Sequence, residues 1–127
     1  MLDCSRIKHK LQQNPHLLAA YLLGSAADGS MRPDSDVDIA ILPMAGRMPS
    51  QGEVFELASE LTMITERPVD IGLLSSQNLV YASEALLKGH RFYCQDTAKA
   101  DLAAATLLGL AMAFNVERKE IIDAYTA

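Results

Sequence analysis

Two hydrophobic rhythms alternate along this chain. A continuous apolar run of strand length occurs at Leu17–Leu23, closed by Gly24; mainly apolar runs follow at Val37–Leu42, interrupted by Asp38 and closed by Pro43, and at Val69–Leu74, interrupted by Asp70. Each predicts a strand, and the shorter Arg91–Cys94 predicts a fourth at a sheet edge. Between them the spacing turns helical. Ser5–Gln13 carries Ile7 and Leu11 on one face and stops before Asn14-Pro15. Glu53–Thr65 places Val54, Leu57, Ala58, Leu61 and Ile64 on one face and is stopped by Arg67-Pro68. A third helix, Gln77–Lys88, is capped by Ser75 or Ser76 and terminated by Gly89 as a C′ residue. The final helix runs from Thr97 to Ala124. Gly24–Ser35 reads as a loop that opens with a helical turn, and Met44–Gln51 as a second loop. This order predicts an α/β (α+β) fold, a small mixed β-sheet flanked by helices.

The final helix breaks the amphipathic pattern. From Leu102 to Phe114 only Thr106 and Gly109 interrupt the large and small apolar side chains. That run is shorter than a bilayer requires, so it predicts a buried helix. A helix apolar all round needs cover on more than one side, and the sheet supplies only one. A partner chain or a second copy of this chain is expected on the other, so self-association through this helix is one of two readings.

Length and charge narrow the function classes. The 127 residues suit one domain, residues 1–127, and 50% hydrophobic with 21% charged residues describes a folded globule. Eleven Lys and Arg stand against 16 Asp and Glu, a formal net charge of -5. Such a surface disfavours direct nucleic-acid binding, and a nucleoside triphosphate would need metal ions to screen it. Met1–Lys10 lacks the apolar core of a signal peptide, and the expected setting is cytoplasmic, with no membrane partner. Cys4 and Cys94 have no ligand spacing, and His9, His16 and His90 are scattered.

One constellation carries chemistry. Gly24-Ser25 ends the first strand and Asp36-Val37-Asp38 opens the second. Residues i and i+2 of a strand share a face, so Asp36 and Asp38 project together and favour a cation between them. Paired hard oxygen ligands suit Mg²⁺, which also shares substrate phosphate oxygens. The third strand is otherwise apolar enough to be central, and Asp70 joins them if that strand lies beside the second; otherwise it is a carboxylate facing solvent at an edge. Gly24 admits close backbone approach, and Ser25 offers a hydroxyl and an amide to a phosphate or simply caps a helical turn. Arg32 and Arg47 reach either a phosphate or solvent.

Gly24-Ser25, ten intervening residues and then Asp36-Val37-Asp38 resemble the signature of the DNA polymerase β-like nucleotidyltransferases. Arg32-Pro33-Asp34-Ser35 and Arg67-Pro68-Val69-Asp70 are similar to the minimal nucleotidyltransferases (MNT) of that superfamily, nearest to the MntA-type antitoxins of HEPN–MNT toxin–antitoxin pairs. The likeness runs from the first strand to Gly89–Tyr93. It implies a polymerase β-like nucleotidyltransferase fold and a catalytic and metal set of Asp36, Asp38 and Asp70 around two Mg²⁺ ions. Asp70 would also help deprotonate the attacking hydroxyl. It implies that Gly24 and Ser25 hold the β- and γ-phosphates of ATP, the AMP donor. Many relatives carry a basic residue three positions after the serine, where this chain has Asp28.

The function implied is a protein adenylyltransferase antitoxin, which silences a HEPN-domain ribonuclease toxin by placing AMP on a tyrosine hydroxyl. Two alternatives stand beside it. One is adenylylation of a small molecule, as in aminoglycoside-modifying relatives; the other is a non-catalytic antitoxin acting by occlusion. The short chain favours a protein acceptor, which brings its own surface to the site.

Overall fold

The computed structural model describes residues 2–126. Helix α1 (Ser5–Gln12) leads into β1 (Leu17–Leu23), the one-turn α2 (Gly24–Asp28) and β2 (Val37–Pro43). Then follow α3 (Gln51–Thr65), β3 (Val69–Leu73), a 3₁₀ turn (Ser76–Asn78), α4 (Leu79–Lys88), β4 (His90–Cys94) and α5 (Thr97–Thr126). The sheet order is β3-β2-β1-β4. β1 runs antiparallel to β2 and β4, whereas β2 and β3 are parallel, so the sheet is mixed as expected.

Alternation along β2 decides which helix covers which side chain. Val37, Ile39 and Ile41 point toward the face covered by α1 and α3, where Ile7, Leu11 and Leu61 are wholly buried. Burying each such side chain contributes about 1.5–3 kcal/mol. Ala40 and Leu42 point to the other face, under Ala82 and Ala85 of α4 and Ala100 and Leu107 of α5. Small alanines on both partners let α4 lie close to the sheet. Asp38 has the parity of Ala40 and therefore belongs to the α4 face.

The caps explain the helix starts. Ser50 accepts a hydrogen bond from the Glu53 amide at 3.1 Å while the Glu53 carboxylate accepts one from the Ser50 amide at 3.2 Å. This reciprocal pair begins α3 two residues before the predicted Glu53. Ser75 caps the 3₁₀ turn that precedes α4, so the α-helix proper begins at Leu79 rather than Gln77.

Three expectations need correction. Gly89 ends α4 but in extended geometry (φ −76°), not the left-handed conformation of a C′ glycine. Its missing Cβ serves packing instead: a methyl there would collide with the Ala85 carbonyl and lie 2.8 Å from Leu23 Cδ2. The third strand, apolar enough to suggest a central place, is an edge of the sheet opposite β4. Finally, α5 is not a buried helix. Of its large side chains Leu107 is buried, whereas Leu102 and Met112 are 71% and 69% exposed and Phe114, Val116, Ile121 and Ile122 are open too. The reason is that α4 already covers the sheet face, and α5 packs chiefly on α4 through one narrow stripe. Thr97–Ala124 as a whole is long and apolar enough to cross a membrane by length and composition alone, which the shorter predicted run was not.

Candidate active site

β1 ends where β2 and β3 begin, and this end of the sheet gathers the chemistry. Leu23 pairs with Asp38 across β1 and β2, so Gly24 follows directly beside that carboxylate. Asp38 pairs with Asp70 across the parallel β2 and β3. In-register neighbours project side chains to the same face, which puts both carboxylates on the α4 side. The condition set by sequence, that the third strand lie beside the second, is met.

Asp36 sits one residue before β2 begins at Val37, not within the strand. The loop carrying it is fastened from below. The Val37 amide donates to the Pro68 carbonyl at 2.9 Å, and the Arg67 guanidinium donates to the carbonyls of Arg32 (2.6 Å) and Ser35 (3.3 Å). Ser35 also accepts from the Arg32 amide at 2.8 Å. Arg67 thus positions Asp36 without being part of the carboxylate group. In sequence Arg67 reads as a helix stop and part of a motif; its positioning contact is made to a loop 32 residues away in sequence.

Electrostatics follows from that placement. Burial, then Asp70, then Asp36 hold the Asp38 carboxyl above its ordinary value. Among the described residues no three acidic, His or Cys side chains form a ready metal cage. The arrangement is an in-register carboxylate pair with a third carboxylate on the adjoining loop. Such a donor set fits Mg²⁺, which keeps waters and takes phosphate oxygens rather than needing a full protein cage.

Gly24 adopts φ +58°, a left-handed conformation that a side chain disfavours, and a Cβ there would stand 3.6 Å from Asp38 Oδ2. The N-cap of α2 is Leu23, so Ser25 is not the cap. Asp28, at the position where a base was expected, is committed locally: its Oδ1 accepts from the Ser30 amide at 2.9 Å and hydroxyl at 2.6 Å. Those bonds hold its carboxyl below the usual range. Arg32 and Arg47 are exposed on their loops.

Between α2 and α4 lies a cavity of about 440 Å³. Gly24, Ala27 and Asp28 form one wall; Tyr81, Glu84 and Lys88 form the other. Tyr81 rests on Gly72 of β3, so closely that a Cβ on Gly72 would collide with the phenol. Burial and the charge of Asp38 both raise the Tyr81 hydroxyl, which keeps it a protonated donor. None of Tyr81, Lys88 and Gly72 was identified from sequence. The available signal was a stripe at 81, 84 and 88, one helical face leading to Gly89.

Comparisons with known proteins agree with this geometry. Residues 5–98 match the polymerase beta, nucleotidyltransferase family. The chain is 30% identical over 125 residues to the protein adenylyltransferase MntA of Shewanella oneidensis, covering 96% of this chain and 86% of that protein. Among solved structures it is similar to a toxin–antitoxin crystallised with AMP-PNP (27% identity, TM-score 0.77, 96% of both chains). It is also similar to a chain in the complex of tri-AMPylated Shewanella oneidensis HEPN toxin with MNT antitoxin (25% identity, TM-score 0.71, covering 94% of this chain and 96% of that one).

Proposed function

This chain belongs to the polymerase β nucleotidyltransferase family, and from that premise we propose that it adenylylates a HEPN-domain toxin on a tyrosine hydroxyl, with ATP as donor and Mg²⁺ as cofactor. The observation that carries the reading is the Asp38–Asp70 register beside Gly24. It sets two carboxylates next to a backbone turn that can admit a phosphate. Asp36, Asp38 and Asp70 would hold Mg²⁺, which when bound stabilises charge on the phosphate oxygens.

The chain's own residues then divide the work. Gly24 and Ser25 hold the polyphosphate, with the Ser25 hydroxyl as donor. Asp70 takes the proton from the acceptor hydroxyl. The acceptor oxygen forms a bond to the α-phosphorus, the α–β bridge breaks and pyrophosphate departs. Arg67 keeps the Asp36 loop in register throughout. The acceptor arrives on another protein, and the exposed apolar length of α5 supports a persistent partner interface.

The test is transfer of labelled AMP from ATP to a HEPN-domain toxin co-expressed with this chain. Wild type with Mg²⁺ should label a tyrosine; Asp38→Asn should not, although it should still form the complex. Neutralisation by Asp38→Asn without any labelling would indicate occlusion instead, and labelling of an aminoglycoside without a partner protein would indicate a small-molecule enzyme. Met112→Glu, on the exposed face of α5, should weaken complex formation while leaving nucleotide binding intact.

A further inference from the structure

The cavity beside Gly24 has a charge problem for the ligand assigned to it. Its lining carries two carboxylates, Asp28 and Glu84, and Asp38 stands just beyond Gly24. A polyphosphate entering there meets like charge from several sides, and metal ions at Asp38 and Asp70 would screen only the part nearest them. Asp28 cannot be recruited to a different task without breaking its two bonds to Ser30. The cation of this lining is Lys88, the last residue of α4, facing Gly24, Ala27 and Asp28.

Lys88 is held loosely. Its ammonium lies 3.1 Å from Glu84 Oε2, one helical turn back, with the two side chains 74% and 59% exposed. An i,i+4 pair so open to water contributes little, so exchange of partner costs little. A phosphate, by contrast, offers a charge-assisted hydrogen bond in a more enclosed place. Resting on the nucleotide reading above, we infer that Lys88 binds the polyphosphate of the donor nucleotide, leaving Glu84 when the ligand enters. The positive charge absent from residue 28 on one wall is supplied from α4 on the other.

Two variants separate this role from a merely structural one. Lys88→Met and Glu84→Gln both abolish the ion pair, so a structural role predicts that they act alike. A ligand role predicts opposite effects, because Glu84→Gln frees the lysine and removes a repelling charge. Titrations of the full chain with Mg²⁺ and AMP-PNP should show about tenfold or greater weakening in Lys88→Met. Affinity should be recovered in Lys88→Arg and tightened in Glu84→Gln. Adenosine, which lacks phosphate, should bind all four proteins equally. Equal weakening by Lys88→Met and Glu84→Gln, or unchanged AMP-PNP affinity in Lys88→Met while wild type binds, overturns the assignment of Lys88 alone. Failure of wild type to bind AMP-PNP removes the nucleotide reading of the cavity, and Lys88 with it.

Discussion

Asp38→Asn should destroy transfer and at the same time stabilise the metal-free protein. Parallel neighbours in register stand about 4.8 Å apart, and two unit charges at that distance repel by roughly 0.9 kcal/mol in water and about 3.5 kcal/mol at an effective dielectric of 20. Asp38 and Asp70 are both exposed, so the lower end applies. Relief of that repulsion should yield about 0.5–1 kcal/mol, a rise in Tm of roughly 2–5 °C for a domain of this size. The pH dependence has a definite sign. Asp38 has a raised pKa in the fold, so its ionised form opposes folding. The advantage of Asn is therefore complete above that raised value, narrows as pH falls through it, and is gone below the ordinary carboxylate range. Mg²⁺ should distinguish the two proteins, raising the Tm of wild type and leaving the variant nearly unchanged. Thermal melts in EDTA and in millimolar Mg²⁺, repeated at neutral and acid pH, provide the measurement. An Asp38→Asn protein less stable than wild type in EDTA at neutral pH would refute the repulsion argument.

Other perturbations test other parts of the site. Gly72→Ala should evict the Tyr81 phenol and destabilise the fold by about 1–3 kcal/mol, the usual range for overpacking. Adding Tyr81→Ala should recover part of that loss, and strictly additive denaturation energies in the double mutant would show that the ring simply moves aside. Gly24→Val should reduce AMP-PNP affinity more than Ser25→Ala does, since it adds left-handed strain beside Asp38; equal affinity of Gly24→Val and wild type would remove this residue from the site. Arg67→Ala should lower kcat by about tenfold or more with little change in ATP KM, because it loosens the Asp36 loop rather than the Gly24 turn. An unchanged kcat would show that the Val37–Pro68 bond alone suffices to hold the loop.

Much of this fold is written locally. The strands at Leu17–Leu23 and Val37–Pro43 and the α1 and α3 helices follow from residue period and from Gly and Pro stops, which act over a few residues. The spacing from Gly24-Ser25 to Asp36 and Asp38 was legible for the same reason, because one hairpin-like connection joins them. Asp70 was different. Its membership depended on β3 pairing with β2 rather than with another strand, and only tertiary structure decides strand order. Arg67 reaching the Arg32–Ser35 loop, Tyr81 lying on Gly72 and Lys88 facing Gly24 are likewise contacts between elements distant in sequence. The α5 helix shows the limit most plainly. Its composition determined that an apolar surface needs cover; that α4 takes the sheet face first, leaving Leu102 and Met112 in the open, was decided by competition between two helices for one face.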